Sequence, residues 1–237
     1  AKDGVAYEGV PVVADPAIIA KIADARKNIA PFATRILGQA AKKMEVDRIS
    51  ESSLADALTD AFRSASSSEI AFMNTGGIRA PLAAGPVTYE DLFKVLPFNN
   101  HGYVVGPMTV QKLLALLNRS IQTCGSYGAL MESGLKVSFS RSCGKNSTDP
   151  NAKLLHVETS SGEIILDKGI IINANRVFTV ATLDFLSEGG AGYSDFIGTP
   201  RINDMGVLRE VLSNILASNP TNWSGLTDGR WSAAAPQ

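Results

Sequence analysis

The chain of 237 residues is poor in the side chains that hold metals, with two histidines and two cysteines. His101 and His156 stand 55 positions apart, and Cys124 and Cys143 have no CxxC or HxxxH partner. A two-metal hydrolytic centre draws several histidines into one site, and a structural zinc site clusters Cys and His at short spacing. The sequence therefore argues against a metal centre built within these residues. An excess of one charge is missing too, because 22 Lys plus Arg offset 23 Asp plus Glu. With no basic run, the chain lacks the stripe that displaces counterions from a nucleic acid, and the expected ligand is small. No run of 18 apolar residues occurs, so no spanning helix is expected.

At 45% apolar and 19% charged residues, the composition is that of a globular protein of one large domain, or of a domain with a helical extension. The opening AKDGVAYEG has no charged-then-apolar leader, which fits either a cytosolic protein or a mature or excised part of an exported one. The cysteines leave two alternatives open. They form one disulfide across a 19-residue step loosened by Gly125, Gly128 and Gly134, or they are two buried thiols.

Periodicity places the elements. Pro16 followed by Ile18, Ile19, Ile22 and Ile29 predicts an amphipathic helix that breaks before Pro31. Within Ala33 to Met44 a strand is favoured over a helix. Ser50 or Ser52 caps a helix that buries Leu54, Leu58, Ala61 and Phe62 and ends in the serine cluster 64–68. Glu69 to Met73 reads as a buried strand leading into a glycine loop. Thr88 and Asp91 form a capping box for a short helix stopped by Pro97, His101 to Val105 is a strand, and Thr109 caps a helix with Val110, Leu113, Leu114, Leu117 and Ile121 inside. Leu135 to Phe139, Leu154 to Glu158, Ile164 to Leu166 and Val177 to Ala181 read as strands, with a polar loop over Arg141 to Asn151. Val207 to Leu216 is the last helix, and Trp231 to Gln237 a loose tail. Neither a dinucleotide-binding glycine turn nor a P-loop is present.

Three loops carry the chemistry: NTGGIR at 74–79, LPFNN at 96–100 and DFLSEGGAGY at 184–193. Each sets a polar or aromatic group beside glycines or a proline, as a backbone that approaches a ligand closely requires, although a tight turn asks for the same residues. Arg79, following Gly76 and Gly77, can offer its guanidinium fork to an anionic oxygen or to a surface carboxylate. Phe98 and Phe185 sit at loop edges, where two rings can clamp a planar base, although spacing alone favours two ordinary core phenylalanines.

In this order, and with the SLADAL and VTYEDLFKVLPF segments, the loops resemble the C-terminal domain of the 5'-nucleotidases, a family that includes UDP-sugar hydrolases and 2',3'-cyclic-nucleotide phosphodiesterases. The similarity runs from about Ala33 to Ile215. It implies an α+β fold, a four-layer α/β/β/α arrangement with mixed sheets, with residues 1–30 as interdomain linker and helix, 31–220 as the nucleotide-binding domain and 221–237 as a tail. The resemblance further implies a substrate site in which Phe98 and Phe185 hold the base, Arg79 and Arg48 the phosphate side, Asn74 and Asn100 the pocket lining, and Gly76, Gly77, Gly189 and Gly190 the close turns. No catalytic or metal-ligating residue is expected in this chain. Two divalent metals and the catalysis belong to an N-terminal metallophosphatase domain, whose Asp-x-His and Asn-His-Glu or Asn-His-Asp signatures do not occur here. The partners implied are a nucleotide or nucleoside and that N-terminal domain, the setting is periplasmic or extracellular nucleotide catabolism, and the chain alone is expected to bind without hydrolysing.

One position departs from the family pattern. Its third loop reads GGDGY, with the Asp accepting bonds from the ribose hydroxyls, whereas this chain has Ala191. Without that acceptor ribose recognition is expected to weaken tenfold or more, unless Glu188, Ser194 or Asp195 takes its place. The alternative reading is a non-catalytic nucleotide-sensing or interaction domain whose pocket has degenerated.

Overall fold

A computed structural model describes residues 4–124, 128–143, 147–218 and 223–234. Gly125 and the end of the expected tail, 235–237, lie outside the described residues. A short hairpin, β1 (Ala6–Tyr7) against β2 (Val10–Pro11), precedes α1 (Pro16–Ala33). The Asp15 side chain starts this helix by accepting from Ala17 N at 2.7 Å and Ile18 N at 3.3 Å, and Pro16 occupies a first-turn position where no N–H is required. The helix does not break at Pro31 as expected. That proline lies in the last turn, where it removes one bond, and Thr34 N closes on Ala30 O at 3.0 Å. No residue of α1 is buried.

Next come β3 (Ile36–Ala40), α2 (Ser53–Ser66), β4 (Ile70–Asn74), β5 (Gly85–Thr88), α3 (Tyr89–Val95), β6 (His101–Thr109), α4 (Val110–Gln122) and β7 (Thr123–Cys124). Of the two serines, Ser52 is the cap of α2, and its Oγ accepts from Ala55 N at 3.4 Å. Leu54, Leu58 and Phe62 face inward, while Ala61 stays partly open. Both halves of the Thr88–Asp91 capping box form, at 3.0 and 3.2 Å, and Thr109 accepts from Lys112 N at 3.3 Å to start α4. These ends were legible because capping is an interaction between residues three apart.

The second half contains β8 (Leu130–Ser133), β9 (Leu135–Ser140), β10 (Ser147–Thr148), β11 (Lys153–Thr159), β12 (Ile164–Asp167), β13 (Ile170–Ile171) and β14 (Val177–Leu183), then α5 (Asp184–Ser187), β15 (Arg201–Val207), α6 (Leu208–Ser218) and β16 (Trp231–Ala234). Two differences from the sequence reading stand out. The polar stretch 141–151 holds β10, which pairs with β7, and Cys143 forms a disulfide with Cys124. The expected loose tail supplies β16, parallel to β9, with Trp231 buried and its ring 4.7 Å from that of Phe139. Neither segment shows periodicity, because each is ordered by a partner far away in sequence.

The fold is α+β with mixed sheets. One five-stranded sheet runs β15-β6-β14-β4-β8, with only the β14–β4 pair parallel, a second runs β13-β12-β11-β9-β16, and the pairs β1-β2, β3-β5 and β7-β10 stand beside them. All five residues of β4 are buried, as its apolar composition demands of a covered inner strand. Helix α2 packs over β4, β8 and β14 and against α6, while α4 touches β6 and β11 and so joins the two sheets.

This topology gathers the three loops. Because β4 and β14 are parallel, NTGGIR and DFLSEGGAGY leave the same edge of the sheet. Because β6 is antiparallel to β14, with Gly102 opposite Leu183, the start of β6 and hence LPFNN lies at that edge as well.

Candidate functional site

At this edge the loops surround a cavity of about 800 Å³. Seven of the ten residues singled out from the sequence line it: Asn74, Gly76, Gly77, Arg79, Phe98, Asn100 and Phe185. Arg48, Gly189 and Gly190 do not. Arg48 sits in a turn pinned by Asp47, whose side chain accepts from Ile49 N at 2.7 Å and Ser50 N at 2.8 Å, and this turn stands outside the cavity wall. Gly189 and Gly190 lie behind the wall, against Phe185 and Ile197.

Of the nine phenylalanines four are exposed, Phe32 at 72%, Phe93 at 46%, Phe98 at 50% and Phe185 at 43%, and of these Phe98 and Phe185 stand in the cavity wall. Large apolar rings left open at a cavity mark a place where an apolar face is to be covered by something else. Both are held firmly. Arg209 of α6, itself buried, donates to Leu96 O at 2.9 Å, Phe98 O at 3.3 Å and Asn99 Oδ1 at 2.9 Å, which fixes the loop carrying Phe98 from beneath. Phe185 is the second residue of α5, where its own N–H donates to the Asp184 carboxylate at 2.6 Å.

The first loop is a single 3-10 turn, Thr75–Gly77. Thr75 N reaches Ala129 O at 2.8 Å, and Arg79 N reaches Val95 O at 2.8 Å, so both ends of the turn are anchored to neighbouring segments. Arg79 Nη1 donates to Gly76 O at 3.3 Å and the side chain is exposed at the cavity.

Ala191, the position that departs from the family pattern, also lines the cavity, as do Asn99, Arg119, Thr123 and Gly128, which were not singled out as pocket residues from the sequence. Arg119 is the most consequential. In sequence it is one polar residue on the outer face of α4, and only the return of that helix from the far end of β6 brings it to the loops. Its Nε and Nη2 donate to Ala191 O at 3.3 and 3.0 Å, and its guanidinium lies over the Tyr193 ring at 5.8 Å. Gly192 permits this approach, since a Cβ there would stand 2.2 Å from Arg119 Nη2. Ala191 is in the left-handed region at φ 55°, a conformation that costs alanine about 1–2 kcal/mol. Glu188, Ser194 and Asp195, considered as replacement sugar contacts, are not in the wall, and Glu188 is paired with Arg201 at 2.8 Å.

The cavity thus offers two arginines, several amides and two open rings. Among the described residues no group of three His, Cys, Asp or Glu is placed to hold a metal.

The fold brings the three loops to one end of the sheet around two exposed rings, and comparison with known proteins gives its family. The family described as "5'-nucleotidase, C-terminal domain" matches residues 32–197, more than half of the chain, and the chain belongs to it. It is 28% identical over 155 residues to the trifunctional nucleotide phosphoesterase protein YfkN of Bacillus subtilis, covering 65% of this chain and 10% of that protein. It is 29% identical over 175 residues to a 5'-nucleotidase of Vibrio cholerae, covering 73% of this chain and 28% of that one. In fold it is similar to a 5'-nucleotidase precursor of Thermus thermophilus, with a TM-score of 0.75 at 22% identity over 98% of this chain and 47% of the other. The chain therefore spans less than half the length of each of these relatives.

Proposed function

We propose that this chain is the substrate-binding half of a 5'-nucleotidase-like phosphohydrolase and that it holds a nucleotide in the cavity. The observation that carries the reading is the pair of half-exposed rings, Phe98 and Phe185, on the wall of a cavity that also contains Arg79 and Arg119. Stacking on aromatic rings is worth about 1–3 kcal/mol per base. An arginine fork at the cavity mouth gives an anionic oxygen paired, charge-assisted bonds. Asn74 and Asn100 supply the polar contacts that orient the ligand, while Gly76 and Gly77 let the backbone come near it. Arg48 stays outside this assignment because it is not part of the wall, Gly190 backs Phe185, and Gly189 lies against Ile197.

In such an enzyme two divalent metals of an N-terminal domain would supply the activated water. The present chain would fix the distance and direction of the phosphorus relative to that water, which is catalysis by orientation. An exported location, periplasmic or extracellular, is supported by the Cys124–Cys143 disulfide, since such bonds persist in oxidising compartments. Ala191 favours the second reading, a domain that senses or binds a ligand without serving hydrolysis, because the sugar edge of the cavity has a methyl group and an arginine where a carboxylate would accept from hydroxyls.

Calorimetric titration with adenosine and AMP tests the proposal. Saturable binding that Phe98→Ala and Phe185→Ala each abolish or weaken tenfold or more is the expected result. Binding that the double variant leaves unchanged, or no binding at all, would overturn it. Phosphate release from AMP with added Mn²⁺ or Zn²⁺ separates the roles: the chain alone should give none.

A further inference from the structure

Two neighbouring amides in the cavity wall are locked in opposite senses. Asn100 Nδ2 donates to Asp184 Oδ1 at 2.7 Å. The same carboxylate accepts from His101 N at 3.1 Å and Phe185 N at 2.6 Å. All three partners are N–H groups, so this position asks for an acceptor, and an amide oxygen turned toward it would meet another acceptor. The orientation of Asn100 is therefore decided by chemistry: its nitrogen faces Asp184, and Oδ1 remains to be satisfied. Asn99 is fixed the other way. Its Oδ1 accepts from Arg209 Nη2 at 2.9 Å, and because a guanidinium only donates, the amide nitrogen of Asn99 is the group left over. Both residues line the cavity beside Phe98.

Resting on the nucleotide reading above, we propose that Asp184 and Arg209 are specificity-positioning residues, which make Asn100 present an acceptor and Asn99 a donor, so that the site selects bases with an exocyclic amine next to a ring nitrogen acceptor. Adenine and cytosine carry that donor–acceptor order on one edge. Hypoxanthine and uracil carry the reverse, a carbonyl oxygen next to a ring N–H, and would leave buried polar groups facing like groups. Rings alone cannot make this distinction, because every base has a π-face. Asp184 has a second effect through the same bonds: it ties the start of β6 to the start of α5, and so sets the Phe98 loop and Phe185 relative to each other.

The test compares ligands that differ only in that edge. Adenosine and inosine, and cytidine and uridine, are titrated into the whole chain by calorimetry, with Asp184→Ala and Asn100→Ala alongside. The parent should prefer adenosine and cytidine by about tenfold. Asp184→Ala removes the acceptor that holds the Asn100 nitrogen, leaves that amide free to turn, and should bring both ratios close to one. A general loosening of the loops would lower all four affinities together and leave the ratios as they are, which would overturn the positioning role. Should Asp184→Ala fail to fold, Asn100→Ala decides, because it removes the acceptor without touching the carboxylate and should also flatten the ratios. Equal binding of adenosine and inosine by the parent overturns this proposal and leaves the nucleotide reading intact. Absence of binding by all four nucleosides overturns both.

Discussion

The backbone of Gly190 lies against Phe185: a Cβ at position 190 would stand 2.4 Å from the Phe185 carbonyl oxygen and 2.6 Å from two of its ring carbons. No carbon fits there, so a side chain at 190 must push the ring from its present place at the cavity. Gly190→Ala is expected to weaken adenosine binding tenfold or more and, because the backbone of Phe185 must also give way, to lower the thermal midpoint. Calorimetry and a melting curve on the same sample check both halves.

Arg209 is buried with its guanidinium shared among Leu96 O, Phe98 O, Asn99 Oδ1 and Tyr89 Oη. Arg209→Ala would leave these acceptors without their donor, at a cost of about 1–3 kcal/mol for each group that stays buried and unpaired. Denaturant unfolding should show a loss of that order or more, accompanied by weaker binding, because the Phe98 loop loses its support.

Ala191→Asp puts a carboxylate at the sugar edge and a residue that tolerates the left-handed region at φ 55°. Adenosine should bind about tenfold more tightly, as one added charged hydrogen bond is worth about 1.5 kcal/mol or more, and 2',3'-dideoxyadenosine should not. An equal gain for both ligands would mean that the new group acts on Arg119, not on the sugar.

Stability should fall as pH rises from about 6 to 8. Burial raises the Asp56 carboxyl from 3.8 to about 8, and burial together with nearby Asp56 raises Glu132, whose two carboxyl oxygens have no hydrogen-bond partner. A carboxyl with a raised native pKa binds its proton in the folded state and releases it on unfolding, so its contribution is lost with increasing pH across the window from about 4 to about 8. His156, raised chiefly by its hydrogen bond to Asp167, acts in the same direction: its contribution is complete below 6.5 and vanishes as pH passes its native value. Asp91 and Asp228, lowered by their partners, act only at acid pH and do not oppose this trend. Melting curves at pH 6, 7 and 8 on the parent, Asp56→Asn and Glu132→Gln check it: either variant should flatten the slope and raise the midpoint at pH 8.

Cys143→Ser opens the disulfide that ties the end of α4 to the segment after β9. The expected loss is about 2–4 kcal/mol by chemical denaturation. Thr123 and Gly128 of the cavity wall flank Cys124, so ligand affinity should fall as well.

The helices and the three loops were readable because their signals are local. A cap acts over three residues, the buried face of α4 repeats within its own length, and a glycine pair beside Arg79 or Phe185 is visible without knowing where the chain goes. The same locality explains the failures. Pro31 looks like a helix stop until its place in the last turn is known, and the WSAA segment has no pattern of its own to announce β16. Arg48 carries the chemistry for an anion, and its turn is not part of the wall of this cavity.

By itself, then, the sequence determined the order of the elements, the absence of a local metal cluster motif, the chemistry of the three loops and the family they resemble. The parallel pairing of β4 and β14, with β6 antiparallel beside them, decided that those loops share one cavity. Tertiary structure also decided that Arg119 joins them from α4, that Cys124 and Cys143 pair, and that Asn99 and Asn100 face the cavity wall with opposite polarity. The physical reason is the same throughout: each of these outcomes is a contact between residues far apart in the chain, and the sign of an amide, like the exposure of a ring, belongs to its neighbours in space.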